Sequence, residues 1–195
     1  RGLGDVYKRQ VINLTISALI VVGGIGFLTW DDVRTNRLCF HRYRLQSKVI
    51  LTATALLILL PTLYFFCFEF KGGTLRERLL LSLFQSVTPR TAGFNTADYT
   101  SLSSSGRGLT ILLMFIGGSS GSTAGGIKTT TAAVLVANAF AVFRRQKSPE
   151  MFGRRMEEKA VHDAAAIFTL YLVLSLTGAF AISTVETLPL SECLF

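Results

Sequence analysis

Residues 109–143 read LTILLMFIGGSSGSTAGGIKTTTAAVLVANAFAVF. As a single α-helix this stretch would be about 52 Å long, against roughly 30 Å of bilayer hydrocarbon. Its middle is Gly117-Gly118-Ser119-Ser120-Gly121-Ser122-Thr123-Ala124-Gly125-Gly126, ten residues with no large apolar side chain. Such a segment cannot sustain a lipid-facing helix, and non-helical backbone at membrane depth survives only when buried in protein or lining water. The pattern predicts a helix, a break and a second helix, with the break facing a polar cavity. Lys128, just beyond it, is the sole charge between Arg107 and Arg144. An intramembrane lysine costs about 2.5–3.5 kcal/mol on insertion scales, which sends it to the bundle interior or to water. There it would anchor the break through carbonyl contacts or set a positive barrier; snorkelling to the interface is the plainer alternative.

Upstream, Leu75–Val87 (LRERLLLSLFQSV) is helix-compatible but covers only about 20 Å, too little to cross a bilayer. It runs into Thr88-Pro89-Arg90-Thr91-Ala92-Gly93-Phe94-Asn95, a Pro- and Gly-containing loop. A half-helix that enters the membrane and returns as extended backbone is a pore-loop arrangement. The C-terminal end of such a helix carries partial negative charge that favours a cation. The backbone carbonyls after it can replace the ion's water shell.

Three further runs lack Asp, Glu, Lys, Arg and His: 11–30, 49–68 and 164–185. Each is long enough to span, and none alternates with period two, so helices and not barrel strands are predicted. The chain is therefore read as an all-α polytopic membrane protein. Composition agrees. Of 195 residues, 50% are hydrophobic and 16% charged, which excludes a disordered chain. The net charge of +8 is confined to short clusters and does not indicate nucleic acid. Cys39, Cys67 and Cys193 form no CxxC pair, so neither a disulfide scaffold nor a zinc module is expected. Basic clusters at 31–48 and 144–163 place those loops in the cytoplasm and the pore loop outside. No convergent acid, base or nucleophile set points to an enzyme. The likeness of residues 121–129 to a phosphate-binding loop fails on an inserted Ile and on the missing strand.

SVTPRTAGFNT (86–96) followed by LLMFIGGSSGSTAGGIKTTT (112–131) resembles the third repeat of the Ktr/Trk/HKT potassium transporter superfamily, most like its Ktr-type membrane subunits. That resemblance implies helix–pore-helix–helix repeats with a re-entrant pore loop and a broken transmembrane helix. Residues 11–30 would be the last helix of a second repeat and 31–48 a cytoplasmic loop. Residues 49–143 would be a complete third repeat: helix 49–68, pore helix 75–87, filter 88–95 and broken helix 107–143. Residues 144–163 would be a second cytoplasmic loop, and 164–195 the first helix and pore-helix start of a fourth repeat. Residues 1–10 do not fit and are read as a non-native leader, the rest as a fragment.

By the same resemblance, Thr91, Ala92, Gly93, Phe94 and Asn95 form a selectivity-filter strand, with K+ held by carbonyls near Thr91, Ala92 and Gly93. Gly93 suits a filter because glycine tolerates positive φ and adds no side chain. Gly117 through Gly126 would form an intramembrane gate loop. The implied function is potassium or monovalent-cation uptake across a bacterial inner membrane, without a covalent cofactor and with sodium activation as in some members. Implied partners are a second copy, a cytoplasmic ring of nucleotide-binding Rossmann-type subunits, and membrane lipid. A secondary transporter with a broken-helix midplane site is the alternative; it requires binding side chains in the break, which here is Gly and Ser.

Overall fold

Gly26 interrupts the first apolar run. In the structure, a computed structural model, it adopts φ 86°, and the helices on either side, α1 (Gln10–Ile25) and α2 (Phe27–Asn36), meet at 92°. Residues 11–30, expected to form one span, are thus divided, because left-handed backbone at Gly26 ends the α-helical ladder. The structure describes residues 10–37, 39–90, 102–122, 124–146, 148–186 and 189–194. They fall into two compact units, Arg1–Thr129 and Thr130–Phe195.

In the first unit, α2 carries the chain into residues expected to be loop. A single 3₁₀ turn (Phe40–Arg42) then leads to α3 (Leu45–Tyr64), which runs through Pro61 and finishes in a π turn (Phe65–Glu69). The buried carboxylate of Asp32 sits at the N-terminus of α3. It accepts hydrogen bonds from the Arg44 amide (3.1 Å) and Ser47 Oγ (2.5 Å), with Arg44 Nε 3.4 Å away. An anion there suits the unpaired amides and the dipole of the helix. Asp32→Ala is expected to destabilise the protein by about 2–3 kcal/mol, since two hydrogen bonds to a charged acceptor are lost. Chemical denaturation in detergent measures it, and an unchanged midpoint would refute this account.

Helix α4 (Leu75–Val87) has the same bounds as the short helical run in the sequence. Thr74 begins it with a capping box: its side chain accepts from the Glu77 amide, while its own amide donates to Glu77 Oε2 at 2.8 Å. Leu75 and Leu79 are exposed, but Leu80, Leu81, Ser82, Phe84, Gln85, Ser86 and Val87 are all buried. Burial around the whole circumference marks a helix enclosed by others. Helix α4 packs on α3 and α1. By contrast, Leu59, Leu60 and Leu63 of α3 are exposed, as expected of side chains in lipid. Helix α5 (Ser104–Phe115) follows, with Ser103 as its N-cap. Ser103 also donates to the Glu69 carboxylate through its amide (3.2 Å) and its hydroxyl.

The second unit holds α6 (Thr129–Phe143), a hairpin of β1 (Glu150–Met151) and β2 (Arg154–Arg155), α7 (Glu158–Glu186) and the short α8 (Leu190–Cys193). The hairpin pairs Glu150 with Arg155 and Met151 with Arg154. Residues 144–163, expected to be loop, thus contain a hairpin, and α7 begins at Glu158, not at Ala164. Helix α7 is about 43 Å long, enough to cross a bilayer with residues to spare.

Candidate functional site

The broken apolar stretch becomes α5, an irregular segment over 116–128, and α6. The segment is a closed loop whose base is stitched by backbone. Ile116 and Ile127 form a parallel bridge. The Gly117 amide donates to Ile127 O (2.9 Å), the Ile127 amide to Phe115 O (3.0 Å) and the Thr129 amide to Gly118 O (3.1 Å). These bonds satisfy backbone carbonyls and amides that no regular helix or strand pairs. Gly117 is required there: a Cβ would overlap the Gly125 carbonyl oxygen, and backbone cannot yield as a flexible side chain would. Inside the loop, Ser122 donates to Ser119 O through its amide (3.1 Å) and its hydroxyl (2.7 Å). Half-buried Lys128 donates from Nζ to Ala124 O at 2.6 Å, tying the return leg to the loop's crest. Thr123 lies outside the described residues.

The loop rests on the α1–α2 break. Ser119 is fully buried. Its amide donates to Gly24 O at 2.9 Å, and its hydroxyl reaches the carbonyls of Gly24 (2.7 Å) and Ile25. From the other side, the Phe27 amide donates to Gly121 O at 3.3 Å. Gly23-Gly24-Ile25-Gly26, by composition alone, suits close helix packing. The structure adds carbonyls exposed by the break and met by a residue some ninety positions away.

Helix α4 ends beside both. Thr88, Pro89 and Arg90 form a turn, with the Arg90 amide donating to Val87 O at 3.2 Å. Val87 and the buried Arg90 line a cavity of about 10 Å³, room for about one water, together with Ile20, Val21, Gly24 and Gly118. The loop thus lies close to the chain's exit from the short helix. The expected filter residues Thr91, Ala92, Gly93, Phe94 and Asn95 fall outside the described residues. The other end of α4 is held by Arg78. Its guanidinium donates to Phe70 O (2.5 Å) and Phe66 O (2.8 Å) and stacks 4.6 Å from the Phe66 ring centre. It thereby satisfies carbonyls at the end of α3 and fixes the hairpin-like return into α4. Thr62 and Ser86, 2.7 Å apart through their hydroxyls, join the same two helices deeper down.

The family described as TrkH: Cation transport protein matches residues 5–195, beginning inside the stretch 1–10 set aside above. The potassium/sodium uptake protein NtpJ of Enterococcus hirae is 42% identical over 199 residues, covering 96% of this chain and 43% of the relative. The Ktr system potassium uptake protein B of Bacillus subtilis is 38% identical over 190 residues, covering 94% and 42%. The chain therefore spans less than half the length of these curated relatives. The crystal structure of the potassium transporter TrkH from Vibrio parahaemolyticus superposes with a TM-score of 0.73 over 89% of this chain and 39% of that one, at 18% identity, a likeness of fold. Two helices, Leu45–Glu69 and Glu158–Glu186, are each long and apolar enough to span, and the bent α1–α2 pair qualifies as a third span if taken together. With the family match over nearly the whole chain, this makes it a multi-pass cell-membrane protein belonging to the TrkH family of cation transport proteins.

Proposed function

We propose that the full-length protein takes up potassium, or monovalent cations more broadly, through a pore. Backbone carbonyls near Thr91, Ala92 and Gly93 form its filter strand, and the loop 117–126 is its gate. The observation that carries this reading is the shared cavity of Val87, Arg90 and Gly118. A helix too short to cross the bilayer delivers the chain toward residues 91–95 directly beside a closed Gly/Ser loop. The negative end of α4 and the carbonyls that follow it favour a dehydrated cation. The stitched base of the loop makes it a compact plug, and the Lys128–Ala124 bond holds the plug in shape. Relatives named for potassium uptake support K+ as the transported ion. The assembly consistent with this reading is a homodimer on a cytoplasmic nucleotide-binding ring of Rossmann-type subunits, surrounded by lipid, with sodium as a further activator.

Complementation of a potassium-uptake-deficient strain by the full-length gene tests the transport reading, and failure to restore growth at low potassium would overturn it. Deleting residues 119–123 tests the gate: basal cation flux into proteoliposomes should rise about tenfold or more, since removing a plug lowers the barrier by at least about 1.4 kcal/mol. Unchanged flux would reduce the loop to helix packing.

A further inference from the structure

A helix end leaves its last four carbonyls without intrahelical partners. In α1 these belong to Val22, Gly23, Gly24 and Ile25. Trp30 Nε1 donates to Val22 O at 2.9 Å, from within the α1–α2 pair. Gly24 O and Ile25 O are met instead by Ser119, which lies in the loop. The loop's internal bonds, Gly117–Ile127, Thr129–Gly118, Ser122–Ser119 and Lys128–Ala124, all close on the loop itself. Ser119 and the Phe27–Gly121 bond bind it to α1 and α2. The fit depends on glycine at 26, because a Cβ there would stand 2.7 Å from Ser120 O and 2.9 Å from Ser119 Oγ.

We infer that the break between α1 and α2 is the seat of the gate loop, and that Ser119 is the positioning residue that holds the loop there. The inference rests on the gate reading above. A plug that keeps its own shape and is tied outward by hydrogen bonds of modest net strength, here those of Ser119 and the Phe27–Gly121 pair, moves as a unit when those bonds are exchanged. The Ser119 hydroxyl has one proton for two carbonyls, so its amide and hydroxyl together make two donations, and Ser119→Ala removes one of them.

The test uses the full-length protein in detergent and in proteoliposomes, with two readouts. Hydrogen exchange of the peptide covering 116–122 reports loop release without reference to ion flow, and cation flux reports gating. Ser119→Ala and Gly26→Ala should each speed exchange in that peptide about tenfold and raise basal flux by a similar factor, while the global melting temperature of Ser119→Ala stays within error of wild type. Gly23→Ala, where an added Cβ meets nothing within 4 Å, should change neither readout. Unchanged exchange in Ser119→Ala overturns the seat. If deletion of 119–123 raises flux while Ser119→Ala leaves flux and exchange untouched, the gate survives and the seat does not. If the deletion leaves flux unchanged but Ser119→Ala still speeds exchange, the contact is real and the gate reading is the one that falls.

Discussion

Gly93→Val in the full-length protein is expected to lower potassium uptake by about a hundredfold and to erase discrimination between K+ and Na+: on the proposed filter reading, a branched side chain enters the strand whose carbonyls strip the ion of water. A hundredfold corresponds to about 2.7 kcal/mol in the transport barrier. The argument is steric and conformational. Glycine accepts either sign of φ where valine does not, and valine's two methyls would narrow the proposed filter path. Tracer uptake of K+ and Na+ by the same vesicles measures both quantities. Retained uptake with retained discrimination would remove residues 91–95 from the filter, whatever the rest of the fold does.

The second large effect belongs to Gly117→Ala. Alanine is the smallest substitution available, yet its Cβ would overlap the Gly125 carbonyl oxygen and stand 3.2 Å from the Gly126 Cα. Both obstacles are backbone, held by the bonds that stitch Gly117 to Ile127 and Gly118 to Thr129. Relief requires opening the base of the loop, and the variant should show basal cation flux raised about tenfold or more as backbone bonds worth about 1 kcal/mol each are given up. Flux assays on protein that still elutes as a folded species decide it. Wild-type flux from such protein would show that the close approach of the two legs has no bearing on conduction.

How far the fold was legible depended on which physical demand was at work. A bilayer requires about twenty uncharged helical residues, so 49–68 and 164–185 announced themselves, and each lies within a longer helix, Leu45–Glu69 and Glu158–Glu186. The interruption at 117–126 was legible for the opposite reason, since ten small or polar residues are incompatible with a lipid-facing helix. Hydropathy is silent on the end of α1. Val11 to Trp30 is uniformly apolar, and the bend at Gly26 is a conformational event whose partner is Ser119, far along the chain. The role of Arg78 was hidden likewise. Its carbonyl partners at Phe66 and Phe70 come within reach only once α4 folds back on α3. The motif at 86–96 carried the resemblance, although its filter residues lie outside those the structure describes.

The right angle at Gly26 has a mechanical corollary. Asp32 lies about 9 Å along α2 from that glycine, taking 1.5 Å per helical residue, whereas Phe27, whose amide donates to Gly121 O, is the first residue of the same helix. A tilt of α2 about Gly26 therefore displaces Asp32 far more than it displaces Phe27. Since Asp32 is fastened to the start of α3, a shift between those two helices reaches the loop through the Phe27–Gly121 bond, reduced in amplitude. The bend makes α2 a lever, its long arm at Asp32 and its short arm against the Gly/Ser loop.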